Sequence, residues 1–186
     1  DLLSSESAQR HRMVQLHTHG LLGDVERCRR EWDAARRHFR EAESGYQRLA
    51  DRVDAATQTK NLAEIDIVTG RHGRALERLD GLQEAIPSTR YVSLHLARAA
   101  CAAARGDWDV WQEQFDEAEA NLASHGLRYI DQPWLAAVAG ETALEEGGFD
   151  EAYRAYKFAR NLWDELNRPD EAAKLSGRIA SIQPTM

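Results

Sequence analysis

Two glutamates one helical turn apart have a spacing that acid–base chemistry could use. Glu141 and Glu145 stand four residues apart in a helical segment, so they share one helix face. Such a pair could act as general acid and general base. The sequence around them supplies no nucleophile and no oxyanion-hole group, so we expect both to belong to an acidic surface.

The histidines near the start of the chain raise the question of a metal site. His17 and His19 point about 200° apart on a helix, so they cannot bind the same ion there. The sequence also contains no Gly-x-x-x-x-Gly-Lys-Ser/Thr loop, no His-Glu-x-x-His motif and no Gly-x-Ser-x-Gly turn. We therefore predict a non-catalytic protein that holds no metal and no cofactor.

Composition and charge narrow the class of partner. The chain has 186 residues, of which 30% are charged and 42% hydrophobic, with only 4 prolines, as is typical of helix-rich proteins. No apolar run approaches the roughly 20 residues that span a bilayer, so we expect no contact with a membrane. Residues 1–90 carry 15 basic and 15 acidic side chains, whereas residues 91–186 carry 9 and 16. This acidity argues against nucleic-acid binding.

Two further features bear on the cellular location of the chain and on whether it is part of a longer protein. Cys28 and Cys101 are far apart and lie in helical patterns, which favours free thiols and a cytoplasmic location over a disulfide. The chain begins at Asp1 and not at a methionine, so we expect a fragment of a longer protein.

A group of arginines near the start is the local exception to the acidity. Acidic residues are interleaved with these arginines at helical spacing, which favours a solvent-exposed face of salt bridges. A contact patch for an acidic neighbouring domain is the alternative. The six arginines are Arg27, Arg29, Arg30, Arg36, Arg37 and Arg40.

Apolar periodicity and turn signals predict nine helices and no strand. The first is expected to reach about residue 30, with a bend near Gly20 and Gly23 left open. The fourth is expected to run from Gly73 to just before Pro87. The others are expected at about 32–49, 53–69, 88–104, 107–125, 132–146, 149–166 and 169–183. Short connections imply that neighbouring helices pack antiparallel.

A short pattern returns in the second, fourth, sixth and eighth of these helices. A small residue is followed four places on by an aromatic residue or Leu, and usually by Ala three places later. The spacing between successive instances is 40, 36 and 41 residues, a period typical of helical-hairpin repeats. The instances are Ala35-Phe39-Ala42, Ala75-Leu79-Leu82, Trp111-Phe115-Ala118 and Ala152-Tyr156-Ala159.

This pattern resembles the tetratricopeptide repeat (TPR) family, which has Leu-Gly in the first helix of each hairpin and Ala, Phe and Ala in the second. Leu22-Gly23 matches the Leu-Gly pair, twelve residues before Ala35, and Pro87 matches the closing proline of the family. Trp111 departs from the small residue that the family has at its position. The resemblance implies an all-α fold, a right-handed α-solenoid of about four TPR-like hairpins with a C-terminal capping helix.

The resemblance also implies a division of the chain. Residues 1–186 form one domain, with units at about 5–50, 53–86, 88–124 and 130–166 and a cap at 169–182. In the cap, Ala173, Leu175 and Ile179 are predicted to cover the helix before it.

In TPR arrays the first helix of each hairpin lines a concave groove, and the resemblance implies such a groove here. Its centre is predicted to be apolar, with charge on both sides, which fits a peptide that has an apolar anchor. The alternative is that these side chains pack against neighbouring first helices. The predicted partner-binding residues are Lys60, Glu64, Leu96, Ala100, Trp134, Glu141 and Glu145. The family's clamp for peptide carboxylates is disfavoured, because Asp24 and Glu64 stand where it has asparagine.

Three functions remain open from the sequence. The first is a non-catalytic scaffold that binds a peptide or a partner domain in its groove. The second is the C-terminal TPR region of a large bacterial signalling protein, a serine/threonine kinase or a signal-transducing ATPase, acting through contacts with its missing domains. The third is self-assembly into a homo-oligomer, for which Trp108, Trp134 and Trp163 offer aromatic surface.

Overall fold

The computed structural model describes the backbone of residues 2–182 and the side chains of residues 6–182; residue 1 and residues 183–186 of the predicted domain lie outside this range. Within it the chain is all-helical, as the periodicity predicted. None of these helices is both long and apolar enough to cross a membrane. The α-helices are α1 (Leu2–Cys28), α2 (Trp32–Arg48), α3 (Arg52–Val68), α4 (His72–Leu79), α5 (Tyr91–Ala103), α6 (Trp108–His125), α7 (Asp131–Glu145), α8 (Phe149–Glu165) and α9 (Pro169–Ile182), with 3₁₀ turns at Leu82–Glu84 and Ser88–Arg90.

Helix α1 is one continuous helix of 27 residues, and Gly20 and Gly23 lie inside it. Gly23 serves packing rather than bending, because a Cβ there would overlap the Phe39 ring of α2. Gly45 of α2 serves packing in the same way, because a Cβ there would overlap Leu16 of α1. The two helices of the first hairpin therefore approach each other closely at two points.

Helix α4 is shorter than the sequence indicated, since it ends at Leu79 and not near Pro87. Asp80 is extended, with ψ of 134°, and Gly81 is left-handed, with φ of 68°. These two residues interrupt the helical hydrogen bonds, and the chain continues as a 3₁₀ turn. The break was hidden in the sequence because Leu82, the last member of the apolar pattern, is buried beyond it as well.

The turns inside the hairpins share a left-handed residue at an equivalent position. Glycine occupies it in three of them, with φ of 72° at Gly70, 64° at Gly106 and 84° at Gly147. Arg30 occupies it in the first hairpin, with φ of 62°. A side chain in this conformation is strained by about 1–2 kcal/mol relative to glycine.

Helices pack within each hairpin, α1 with α2, α3 with α4, α5 with α6 and α7 with α8, and the first helices α3, α5 and α7 also contact one another in a row. All twelve residues of the repeated pattern are buried. The last helix, α9, packs on α8 through Ala172, Leu175 and Ile179. The prediction for Ala173 is wrong: this residue is exposed, because the buried stripe of α9 begins one position earlier.

Among residues 6–182, buried apolar side chains form one large cluster and two small ones. The large cluster extends from one face of α3 to α9. The small clusters lie in α1, α2 and α3 and consist of Leu16, Ala42, Tyr46 and Ala55, and of Ala35, Phe39, Leu62 and Ile65. Acidic and basic side chains are buried in α2, in α3 and at the start of α7, namely Arg36, Lys60, Glu64, Asp66 and Asp131.

Candidate partner-binding cleft

Helix α3 carries three charged side chains into the interior, and two of them, Lys60 and Glu64, lie beside the candidate site. Lys60 and Glu64 lie one turn apart, with side chains that are 2% and 0% exposed. The ammonium of Lys60 donates one hydrogen bond to Glu64 Oε1 and another, of 3.0 Å, to Asp131 Oδ2. Since Asp131 opens α7, this contact joins the second hairpin to the fourth across 71 residues of sequence.

Arg27, near the end of α1, extends this network. Its guanidinium donates hydrogen bonds to Glu64 Oε2 and, at 2.9 Å, to Asp24 Oδ1. The guanidinium carbon also lies 5.6 Å from the centre of the Trp134 ring of α7. Acidic and basic groups thus alternate in an unbroken series of contacts between α1, α3 and α7. We call this series, Asp24, Arg27, Glu64, Lys60 and Asp131, the charged seam.

Two members of the seam, Lys60 and Asp131, are held in their ionised forms by their neighbours. Burial by itself raises the pKa of Asp131, but the charges of Lys60 and Arg27 and the hydrogen bond from Lys60 outweigh it and lower this pKa to about 2. Burial by itself lowers the pKa of Lys60, and the charges of Glu64 and Asp131 more than offset it, so this pKa lies above its ordinary value. Both groups are therefore charged at neutral pH.

A cleft of about 400 Å³ lies beside the seam, between α1, α3 and the segment that leads into α7. Leu21 and Ile130 line it and are 65% and 52% exposed. Tyr46 lines it as well, and its hydroxyl lies 2.8 Å from His17 Nδ1, within hydrogen-bonding distance. We call this cavity the seam cleft. Fixed polar groups beside exposed apolar side chains are the usual composition of a binding site.

A second, smaller cavity of about 260 Å³ adjoins the seam cleft, since four residues line both cavities. Its walls are aromatic, formed by Trp32, Trp134 and Trp163. The guanidinium carbon of Arg168 lies 5.7 Å from the centre of the Trp163 ring, and Arg30 also lines the cavity. We call it the tryptophan slot. The four shared residues are Arg27, Cys28, Ile130 and Asp131.

The predicted partner-binding residues lie in different settings. Lys60 and Glu64 belong to the charged seam, and Trp134 lies half-buried beside it under Arg27. Leu96 and Ala100 of α5 are 0% exposed within the large apolar cluster, so neither presents surface to a partner in this conformation. Partner contact by these five residues stays a prediction.

The two glutamates of the predicted acidic surface lie elsewhere. Glu141 and Glu145 are exposed on α7 and line neither the seam cleft nor the tryptophan slot. Glu141 accepts a hydrogen bond from Arg178 of α9, so its carboxylate is paired across two helices. The structure thus does not bring these two residues together with Lys60, Glu64 and Trp134, and a role for them in binding stays a prediction.

The arginines of the first hairpin do not form one solvent-exposed face. Arg27 and Arg36 turn inward, Arg27 to Glu64 and Arg36 to Asp66 at 3.0 Å, and both acidic partners belong to α3. The interpretation as an exposed face is therefore wrong for these two residues. These two partners lie 37 and 30 residues away in sequence, beyond the reach of any helical spacing rule. Each arginine also has a helix-spaced partner, Asp24 for Arg27 and Asp33 for Arg36.

The clustered histidines contact α2 rather than each other. His17 pairs with Tyr46, and His19 Nδ1 lies 3.1 Å from His38 Nδ1. Within the described part of the chain, no three His, Cys, Asp or Glu side chains are arranged to hold a metal ion.

Sequence reasoning missed Asp131 and its neighbour Ile130. In the sequence, Asp131 is an ordinary acidic residue at the start of a helix, where it would favour the helix dipole without any distant partner. Only the folded chain brings it to Lys60.

The chain matches no protein-family model, and no curated protein sequence is significantly similar to it.

Proposed function

We propose that this chain is a non-catalytic protein-interaction module that binds a peptide segment of a partner protein in the seam cleft. The observation that carries the proposal is the pairing of fixed charges with exposed apolar side chains in one concave site. Leu21 and Ile130 are 65% and 52% exposed, and both line this one cavity together with charged side chains. Apolar surface retained in a concave, partly polar site is typical of recognition sites.

The proposal includes the repeat architecture, a right-handed α-solenoid of four TPR-like hairpins with α9 as its cap. Close approach at matching positions supports it. Gly23 faces Phe39 in the first hairpin, and Gly140 faces Tyr156 in the fourth, where a Cβ would lie 3.0 Å from the ring. The two residues of each pair are separated by the same number of positions, as expected for copies of one structural unit.

The seam cleft fits a peptide in two respects. An apolar side chain of the peptide would pack between Leu21 and Ile130, as an anchor residue does in most peptide sites. Polar groups of the peptide backbone would face Asn61 and Arg90, which also line the cleft. The charged seam would keep α1, α3 and α7 in place, so little rearrangement would be needed on binding.

Two groups that line the cleft, Tyr46 and Asp131, are poorly suited to act as a general acid or base. Burial raises the pKa of Tyr46 to about 12, and the pairing with Lys60 lowers that of Asp131 to about 2. Both values are far from neutral pH, where a general acid or base works best. Each group is therefore fixed in one protonation state under ordinary conditions.

The proposed setting is the reducing cytoplasm. Cys28 and Cys101 are both free thiols, Cys28 exposed and Cys101 buried, which suits that compartment.

Site-directed photo-crosslinking tests the proposal. A photoreactive residue at position 21, inside the cleft, is expected to capture a partner from an extract of the source cell. The same residue at position 120, on the exposed surface of α6, serves as the control. The captured segment is then synthesised, and its affinity for the purified chain is measured by calorimetry.

Matched substitutions decide whether the cleft is the site. Leu21→Arg is expected to weaken binding of the synthetic segment at least about tenfold, as loss of an anchor contact does. Ala120→Arg is expected to leave the affinity within about twofold of the wild-type value. Equal capture from both positions, or an affinity unaffected by Leu21→Arg, would refute binding in the seam cleft.

A further inference from the structure

The tryptophan slot carries positive charge that the fold does not neutralise. Arg30 and Arg168 line the slot and are exposed. Among the residues that the structure describes, neither has a carboxylate oxygen within 4.0 Å of its guanidinium nitrogens. The other three charged residues of the lining already form ion pairs outside the slot, namely Arg27, Asp131 and Glu171. The slot is therefore suited to an acidic ligand.

Arg30 occupies its position in spite of backbone strain. It is left-handed where the equivalent turns of the other three hairpins have Gly70, Gly106 and Gly147. Arginine at this turn places a long cationic side chain where the glycines of the other three turns place none. Here that side chain is one of the two arginines of the slot that have no acidic partner.

The slot has the size and walls to hold one aromatic ring. Its volume is about 260 Å³, whereas an engineered cavity of about 150 Å³ already binds benzene. Trp32, Trp134 and Trp163 offer ring faces and edges against which another ring would pack. Arginines beside such walls would form charge-assisted hydrogen bonds with carboxylates next to that ring. The slot thus fits an aromatic residue flanked by acidic residues.

The chain presents such a segment on its own surface. Phe149, at the start of α8, is 60% exposed, and it is the only aromatic residue among the exposed large apolar residues of the described chain. Acidic residues precede and follow it closely in the sequence. They are Glu145, Glu146, Asp150 and Glu151, and with Phe149 they form what we call the Phe149 segment.

One molecule cannot place its own Phe149 segment in its own slot. Phe149 is the first residue of α8, whereas Trp163, a wall of the slot, lies near the other end of the same helix. At 1.5 Å per residue, the two side chains are anchored roughly 21 Å apart on a rigid element. Only a second molecule can bring the segment to the slot.

We propose that the tryptophan slot of one copy of this chain binds the Phe149 segment of a second copy. The Phe149 ring lies between the tryptophans, and Arg30 and Arg168 pair with the carboxylates that flank it. The contact is heterologous, since two different surfaces meet, so it joins copies head to tail. It is small beside the roughly 800 Å² per partner of stable interfaces, so the association is weak, and its ion pairs make it sensitive to salt. It does not depend on the peptide proposed for the seam cleft.

Analytical ultracentrifugation at low salt, from about 10 to about 500 µM protein, tests this proposal. The average mass of the wild type is expected to rise with concentration above that of the 21.0 kDa monomer and to fall when salt is added. Phe149→Ala is expected to remain monomeric. Val110→Ala, which changes an exposed apolar residue of α6, is the matched control and should associate like the wild type.

Arg30→Gly separates a binding role from a structural one. Glycine relaxes the left-handed turn, so this variant is expected to unfold at the same or a higher temperature than the wild type and yet to remain monomeric. A mixture of Phe149→Ala, which keeps the slot, and Arg30→Gly, which keeps the Phe149 segment, should form pairs and nothing larger.

Three results would overturn the proposal. These are a wild type that stays monomeric over the whole concentration range, a Phe149→Ala variant that associates like the wild type, and a mixture of the two variants that forms no pairs. If the wild type stays monomeric but a labelled synthetic peptide of residues 145–153 binds it, the second copy is excluded as the occupant of the slot.

Discussion

The three N-terminal helices bury four charged side chains, whereas the described helices from α4 onward bury one, Asp131. Between α1, α2 and α3 lie two small apolar clusters and the buried residues Arg36, Lys60, Glu64 and Asp66. From α4 to α9 a single apolar cluster continues without interruption, and it includes one face of α3. The two regions thus meet on α3, which is apolar on one side and charged on another.

This difference shows two ways to hold a helix in the interior. Helix α5 is packed through small residues such as Ala97 and Ala100, and apolar contacts of this kind are not directional. Helix α3 has such apolar contacts too, but it is also held through Lys60 and Glu64, whose partners must stand at defined distances and angles. Because buried ion pairs add little net stability over apolar packing, we infer that the charged seam specifies how α1 and α7 meet α3.

The substitution Lys60→Met is expected to cause the largest loss of stability. It leaves Asp131 buried without its cationic partner, and breaking a buried pair in this way lowers the free energy of unfolding by about 3–5 kcal/mol. Urea denaturation followed by circular dichroism measures the loss.

A matched change in the other region serves as the control for Lys60→Met. Arg154→Met removes an ion pair of α8 with Asp116 and Glu119 that is partly open to solvent, so the expected loss is below about 1 kcal/mol. Equal losses in the two variants would show that the two regions do not differ in their dependence on charge.

Acidification is expected to weaken the charged seam and to cause a smaller loss of stability than Lys60→Met. The pKa of Asp131 is about 2 in the folded chain against an ordinary value of 3.8. Its contribution to stability is therefore complete above about pH 4 and is lost as the pH falls through 2, and it amounts to about 2 kcal/mol.

Comparing wild type with Asp131→Asn isolates this contribution from that of the other carboxylates. The variant should be less stable at pH 7, and the difference in the free energy of unfolding should narrow between pH 4 and pH 2. A difference that stays constant over this range would contradict the pairing of Asp131 with Lys60.

The smallest expected effect is the difference in stability between two glycine-to-alanine variants, one in each region. Gly23→Ala in the first hairpin forces the Phe39 ring to move, and such overpacking lowers stability by about 1–3 kcal/mol. Gly140→Ala in the fourth hairpin creates a contact of 3.0 Å with Tyr156, which a shift of a few tenths of an ångström relieves. Its loss should therefore be the smaller one, partly offset by the higher helix propensity of alanine. Thermal unfolding of both variants decides the order, and a reversed order would show that the first hairpin is the more adaptable of the two.

Much of the helical structure followed from local patterns. The spacing of apolar residues and the glycines at 70, 106 and 147 located most helices to within a few residues. The pattern failed at α4, because Leu82 is buried whether or not the helix continues past Gly81. Periodicity reports that a residue faces the interior, but a 3₁₀ turn and a helix can satisfy the same spacing over a few positions.

The candidate sites were much less predictable. The residues Lys60, Glu64 and Trp134 were named from the TPR resemblance, yet their surroundings depend on Arg27 and Asp131, which come from other hairpins. An acidic residue at a helix start has many possible partners, and its helical spacing says nothing about a lysine 71 residues away.

The sequence by itself determined the helical composition of this protein, most of the apolar residues that face its interior and the places where most helices end. These depend on periodicity, turn chemistry and side-chain size, which act over a few residues. Only the tertiary structure decided that α1, α3 and α7 meet at a charged seam and that three tryptophans enclose a slot. The physical reason is that the angles and distances between helices arise from the packing of the whole chain, so contacts between distant residues are not encoded in any local pattern.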